Sequence, residues 1–329
     1  MDVSDDLRRI QTILNKIHKN VLEEKWPCMC HDCHDTAVDC HLLMRNGILN
    51  FVTENGRLVA LRAKKPAAFK QEELPFSFKL VGNREAVSLP IFCNTHDTSL
   101  FKEIEDGSFD FQNIRHLLLY SYRTLCSEIR RKEIIVEQLK RELNSNILSE
   151  LLPIEIIYAK KISIAGLLKG IEDMNYYRNQ METNLQTLSD DFVFLSKPLP
   201  LKGIYVSSVS TLFYDEQDSL SEKELNIFIF HLIPQNNYTQ LVLGYHKKHV
   251  NDRIKKYIKR WESASSKEYG YMLTGLLSQL ESWGMRPSIF KQIPKARINK
   301  FYAVIASNFN TIRQYPDESL DLFDGIINT

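Results

Sequence analysis

The chain has 329 residues, 43% hydrophobic and 25% charged, enough apolar material for a sizeable core and enough length for two domains or one large domain with an appended module. A formal net charge of +1 excludes a globally basic nucleic-acid binder, so any such surface must be a local patch. No apolar run approaches the length of a membrane span and the start, Met1-Asp2-Val3-Ser4-Asp5-Asp6, is acidic, so the expectation is a cytoplasmic protein with no membrane partner.

Residues 4–24 read as an amphipathic helix within an N-terminal segment, 1–25. Ser4 suits its cap, Asp5 and Asp6 suit its positive end, and Leu7, Ile10, Ile13, Leu14, Ile17 and Val21 recur at helical spacing. The mixed charge of its polar face fits a packing arm, against the rest of the protein or a second copy, better than a membrane surface. Trp26-Pro27 then stops the helix.

Residues 26–109 read as a zinc-binding module. Cys28-Met29-Cys30-His31-Asp32-Cys33 and Phe92-Cys93-Asn94-Thr95-His96-Asp97 are two Cys/His knuckles about sixty residues apart. A tetrahedral, structural Zn²⁺ needs such pairs, because each tight turn holds two ligands close together. The plainer alternative is a set of buried apolar thiols, but cysteines two to five apart in a turn cannot all face one core. The candidate ligands are Cys28, Cys30, Cys33, Cys93 and His96; by spacing alone, Cys30-x-x-Cys33 is the usual first knuckle. Cysteines clustered with histidines suit a metal site in a reducing compartment rather than a disulfide framework. Cys126 stands alone on a helix.

Between the knuckles, residues 48–54 and 57–61 flank Asn55-Gly56, a strong signal for two strands joined by a tight turn. Residues 76–81 read as a further strand, and the chain after Cys93 as a helix through Leu100, Phe101, Ile104 and Glu105. Knuckle, hairpin, then a knuckle opening a helix is the order of elements in a treble-clef zinc module.

With Asp39-Cys40-His41 after the first knuckle and Cys93-x-x-His96-Asp97 at the second, this stretch resembles the HNH-type nucleases over about a quarter of the chain. The resemblance implies His41 as the general base and Asp97, with His96 as an alternative, facing a catalytic Mg²⁺ or Mn²⁺. The chain departs from that family by placing about fifty residues between His41 and Cys93. A longer string is similar to a group of uncharacterised bacterial zinc-knuckle proteins. It comprises Cys28-x4-Cys33, Ala37-Val38-x-x-His41, Phe92-Cys93-x-x-His96-Asp97-x3-Phe101-x-x-Ile104-Glu105, and Tyr122-Arg123 with Glu128. That resemblance implies Cys28 and Cys33 as the first zinc pair, with Cys30 a bystander, and brings no activity. His41 then has a second reading, as a neighbour of the zinc or a further ligand.

Residues 110–189 read as two long helices that break at Asn144-Ser145-Asn146 and pack as an antiparallel hairpin. The first carries Ile114, Leu117, Leu118, Tyr122, Leu125, Ile129, Ile134, Ile135 and Leu139 on one side, with Arg130, Arg131 and other charges on the other. The second is expected over 148–188, with Pro153 in its first turns. Arg123 lies within the apolar stripe and needs a partner there, for which Glu128 is the candidate. Protein partners or self-association through these helices fit the pattern.

Residues 190–329 read as an α+β unit with an antiparallel sheet: strands at 192–195, 203–208, 225–233 and 240–245, a loop at Pro198 and Pro200, and a turn at residues 234–237. Helices are expected at 250–263, 269–282 and after Pro287 and Pro294, with a packed corner at Trp283. Lys247, Lys248, Arg253, Lys255, Lys256, Lys259 and Arg260 form one basic cluster, interleaved with Tyr245, Tyr257 and Trp261, so phosphate contact and base stacking are both expected of a nucleic-acid surface. The chain as a whole therefore reads as an α+β zinc protein that engages nucleic acid, in one version as an HNH-like nuclease effector in defence against foreign DNA. The competing reading is a non-enzymatic scaffold with a structural zinc site.

Overall fold

The computed structural model describes residues 3–41, 48–63, 76–82, 88–106, 109–187, 189–210, 226–280, 282–310 and 316–326. The chain opens with α1 (Val3–Leu22), which buries Leu14 and Val21. Residues 27–36 fold back on themselves, with a bridge between Pro27 and Thr36. They lead into β1 (Val38–His41) and α2 (Ile48–Val52), followed by β2 (Arg57–Ala63), β3 (Phe76–Gly82), β4 (Ser88–Phe92) and α3 (Asn94–Glu105). β1 and β4 form a separate two-stranded antiparallel sheet.

The strand expected over 48–54 is instead the short helix α2. Ile48, Leu49 and Val52 are all buried, a helical grouping that strict alternation would not produce, and Thr53 donates to the Leu49 carbonyl from both its amide and its hydroxyl. The Asn55-Gly56 turn does form. Both residues take positive φ, 51° and 70°, and Glu54 and Arg57 exchange backbone hydrogen bonds of 2.8 and 3.0 Å across it. The partner of β2 is β3, in register from Arg57 opposite Gly82 to Ala63 opposite Phe76.

The helical hairpin follows. α4 (Ile114–Leu143) is capped by Asn113, whose side chain accepts from the Arg115 amide, and it ends at Asn144. Ser145 caps the short α5 (Asn146–Leu151). The second long helix, α6 (Ile154–Thr187), starts later than expected because Leu152, preceding Pro153, is held extended at φ −89°, ψ 139°. α1 lies against α4, where His18 Nε2 meets the buried Glu142 at 2.6 Å.

A seven-stranded sheet, antiparallel at every pairing, runs in the order β3-β2-β9-β6-β7-β8-β5. Its remaining strands are β5 (Phe192–Leu199), β6 (Ile204–Ser210), β7 (Phe228–Pro234), β8 (Thr239–His246) and β9 (Trp283–Met285). The loop expected at Pro198 is strand: β5 is an edge strand paired only with β8, where a missing amide costs no ladder bond. The corner at Trp283 is likewise strand. β9 joins the β2–β3 pair to β6, and Gly284 permits it, since a Cβ there would meet Tyr205 Cε1 at 2.7 Å and the Val59 carbonyl at 3.0 Å.

Alternate residues of the sheet serve two cores. Tyr205, Val209, Ile229, Ile233 and Val242 pack on the α4 side, with the Cys/His region. Ile204, Val206, Phe228, Phe230, Leu232, Leu241 and Leu243 pack against α7 (Asp252–Ser263), α8 (Ser266–Leu277), α9 (Pro287–Gln292) and α10 (Lys295–Asn310). Among the described residues, no helix is long and apolar enough to cross a membrane.

One polar group in the first core has a measurable consequence. His231 is fully buried on β7, with Nε2 3.0 Å from Ser121 Oγ, and burial pushes its imidazole down from 6.5 to about 3. A folded pKa below the unfolded one means the unfolded chain binds the extra proton first, so stability is lost as pH falls below about 6.5. At pH 5 this amounts to about 2 kcal/mol. Urea denaturation at pH 7 and pH 5 should show His231→Gln losing less stability between the two than wild type; parallel losses would refute the assignment.

Candidate metal centre

Two short backbone devices build the centre. In the first knuckle the Cys28 amide donates to Asp35 O at 2.8 Å and the Cys33 amide to Cys30 O at 3.2 Å, while Asp32 takes a left-handed φ of 56° that turns the chain just before Cys33. Met29 N donates to Ile91 O at 2.9 Å, which fixes this knuckle to β4. In the second, Cys93 is the N-cap of α3 and its carbonyl accepts the Asp97 amide at 2.9 Å. His96 lies in the first turn of that helix, and the helix N-terminus favours thiolate charge beside it.

Together these bring Cys28, Cys33, Cys93 and His96 into one cluster, with all four ligand atoms within 4.8 Å of one another. Cys33 Sγ is 3.9 Å from Cys93 Sγ, and His96 Nδ1 is 3.5 Å from Cys28 Sγ and 3.2 Å from Cys93 Sγ. A tetrahedral Zn²⁺, with bonds of about 2.3 Å to sulfur and about 2.0 Å to nitrogen, would set sulfurs about 3.8 Å apart and sulfur and nitrogen about 3.5 Å apart. The donor set therefore fits a metal ion of that size and softness. Among the described residues it is the only group of three or more His, Cys, Asp or Glu side chains placed to hold one.

Cys30 is outside the cluster. Burial, with Cys28 alongside, raises its thiol pKa, and its other electrostatic neighbours are Tyr122 and Glu182. Cys40 is also outside: its thiol is pinned between the Val38 and Phe92 carbonyls at 3.2 and 3.4 Å, and burial pushes it up to about 12. Cys126 is fully buried within α4.

No family model, no curated protein and no solved structure matches this chain. The resemblances named above therefore rest on the motif residues themselves, and their placement carries the argument.

The motif residues beyond the four donors do converge. Tyr122 stacks on Phe92 and Phe101, with ring centroids 5.8 and 6.3 Å apart. Arg123 is buried, with its guanidinium 3.9 Å from the Phe101 ring centroid. Its charge partner is not Glu128. Arg123 Nη1 lies 2.7 Å from Glu105 Oε1, and Nη2 3.6 Å from Asp97 Oδ1. The alignment makes these charge contacts rather than hydrogen bonds. Glu128 lies five residues on, off the face of Arg123, and accepts from Ser282 Oγ instead. Asp97, Phe101 and Glu105 are spaced four apart, one stripe of α3 that grips Tyr122-Arg123 of α4.

Arg130, expected on the solvated side of α4, is buried too. Its Nη2 donates to Pro27 O at 2.6 Å and its guanidinium lies 4.9 Å from the Trp26 ring, so it ties the first knuckle to α4. Sequence reading missed this residue. Nothing local announces it, because the Pro27 carbonyl it meets lies 103 residues away in the chain.

His41 and Asp97 do not join the four donors. Cys40 and His41 are consecutive on β1 and so project to opposite faces of the strand. Cys40 points inward and feels the Asp97 charge; His41 is half-buried. Asp97 Oδ1 is itself buried and turned towards Arg123.

Three members of the basic cluster face acidic partners. Lys247 Nζ is 2.6 Å from Asp190, Lys248 Nζ is 3.6 Å from Asp191, and Arg260 makes a bidentate pair with Glu318 at 3.1 and 2.7 Å. Arg253 is half-buried, while Lys255, Lys256 and Lys259 are exposed along α7. The stacking expected of Tyr257 and Trp261 is corrected: both are buried, because with Ile254 and Ile258 they form the inward face of the helix.

Proposed function

We propose that this chain is a non-enzymatic interaction protein whose Cys28, Cys33, Cys93 and His96 hold one structural Zn²⁺. The observation that supports this reading is the donor set itself: three thiolates and one imidazole at tetrahedral spacing complete a structural site and leave no position for water or substrate. The metal would lock the first knuckle to the start of α3, and through Arg123 and Arg130 the whole region to α4. On this reading His41 and Asp97 carry no catalysis, since Asp97 is committed to Arg123. The work of the protein falls to its surfaces; among the described residues, exposed large apolar side chains gather on the first half of α6, at Ile154, Ile156, Tyr158, Ile162 and Leu168.

Nucleic-acid engagement is the second reading, favoured by exposed Lys255, Lys256 and Lys259 along one helix. One experiment separates the readings. Labelled DNA and RNA are titrated into wild type, His41→Ala and Lys255→Glu/Lys256→Glu at low and moderate salt, with and without Mg²⁺ or Mn²⁺. The interaction-protein reading expects no cleavage that depends on His41 and no binding that the lysine reversals weaken. Affinity that falls steeply with salt and drops alike for all sequences in the double variant would establish a phosphate-contacting surface. Metal-dependent cleavage lost in His41→Ala would overturn the structural-site reading.

A further inference from the structure

Only part of α6 is covered by the rest of the chain. Beyond its middle it is well packed, with Asp173, Met174, Tyr177 and Met181 buried. Its first half is different. Ile157, Ile164 and Ile171 are half-buried on one side, while Ile154, Tyr158 and Ile162 are 70%, 65% and 57% exposed. A helix that is apolar on every side belongs in an interior, and such side chains left in water mark a surface that something covers.

The pattern on that surface selects its occupant. At about 100° per residue, Glu155, Tyr158, Ile162, Ala165, Gly166 and Lys169 fall within one arc about 100° wide. All six are exposed. Ile162 sits at the centre, Glu155 seven residues before it and Lys169 seven after. Two copies laid parallel would oppose Glu155 to Glu155 and Lys169 to Lys169, which repels at both ends. Laid antiparallel about a two-fold axis at Ile162, each Glu155 meets Lys169 of the other copy, and Ile162 meets itself. Tyr158 then falls over Ala165 and Gly166, the small pair, where a Cβ on Gly166 would meet nothing within 4 Å. Large faces small and negative faces positive, each twice, because the arrangement is isologous and closes at two subunits. Lys169 already engages Asp173 at 3.1 Å and Glu172 at 3.4 Å, but it is 59% exposed and has donors left for a third carboxylate.

We infer that two copies of this chain pair antiparallel through the first half of α6, with Ile162 on the two-fold axis and Glu155 of each copy against Lys169 of the other. This deepens the interaction-protein reading by naming a second copy as the partner. It makes no use of the metal, so the two stand or fall separately.

The test uses the full chain. Analytical ultracentrifugation across a concentration series should find wild type dimeric and Ile162→Glu monomeric, with a dissociation constant raised about a hundredfold or more, since two carboxylates would be buried face to face. The variant should keep the zinc content of wild type, and its thermal midpoint at concentrations low enough for wild type to be monomeric, because residue 162 is exposed in the single chain. Ile162→Cys should form an intermolecular disulfide under mild oxidation, its two thiols meeting at the axis, while Lys102→Cys on exposed α3 does not. A wild type that stays monomeric at hundreds of micromolar, or an Ile162→Cys that cross-links no faster than Lys102→Cys, would overturn the pairing. Dimers formed by protein that binds no zinc would support it while removing the metal reading.

Discussion

Replacing Cys33 or Cys93 by Ser is expected to take the purified protein from one tightly bound Zn²⁺ per chain to almost none. Each substitution removes one of three thiolates from a set of four donors that all lie within 4.8 Å of one another, and a hydroxyl is a poor replacement for a soft anionic ligand. No donor set of this kind exists in the unfolded chain, so the free energy of binding is also free energy of folding. The thermal midpoint should fall by about 10 °C, and by a similar amount when wild type is heated with a strong chelator. Cys30→Ser is the informative control. Cys30 is the ligand that spacing alone favours, yet its thiol lies among Cys28, Tyr122 and Glu182 and outside the cluster, so this variant should keep its zinc. Cys126→Ser places a hydroxyl in the core and should lose some stability with metal content unchanged. Elemental analysis decides: wild type prepared without chelator and free of zinc, or zinc lost equally from Cys126→Ser, would sink the assignment.

How much of this was legible in the sequence varies with the range of the interactions involved. Turns and helix breaks are local, and they read correctly; Ser4, expected as a cap, lies within α1, which already runs from Val3. Positive φ at Asn55 and Gly56, the break at Asn144-Ser145 and the turn after Pro234 are set by residues within four positions of one another. The second knuckle also read correctly, because Cys93 and His96 sit on one helical turn. Residues 48–52 were misread because four apolar side chains in five residues fit strand and helix alike, and burial on one side decides between them only after folding. β9 is three residues long and exists because β2 and β6 flank it, so no periodicity announces it. Burial of Arg130 could not be read for a similar reason. A helix position shows which side faces which, but the Pro27 carbonyl that draws this guanidinium inward lies 103 residues away. Charge balance was equally non-local: Glu318, which neutralises Arg260, is 58 residues from it.

Glu105→Ala should destabilise the protein by about 3 kcal/mol in wild type and by under about 0.5 kcal/mol when Arg123 is already Met. Glu105 is half-exposed, and its own side chain buries little. What it supplies is the counter-charge, at 2.7 Å, for a guanidinium that is 1% exposed. Removing it strands a buried cation with only Asp97, 3.6 Å away, and breaking such a pair on one side costs on the order of 3–5 kcal/mol in other buried ion pairs. The lower end applies here because Asp97 remains and the Phe101 ring face, 3.9 Å from the guanidinium, still offers some compensation. Arg123→Met takes the charge away altogether while keeping an unbranched chain against Phe101, so it should cost under about 1.5 kcal/mol. The coupling from the double-mutant cycle, about 2–3 kcal/mol, measures how firmly α3, which carries His96 in its first turn, is held to α4. Zinc should dissociate faster from Glu105→Ala than from wild type, because a helix freed at its far end holds the Cys93–His96 pair less rigidly. Equal losses from Glu105→Ala in both backgrounds would show that Arg123 finds its compensation elsewhere, and the link between the metal and α4 would then run through Arg130 and the Pro27 carbonyl instead.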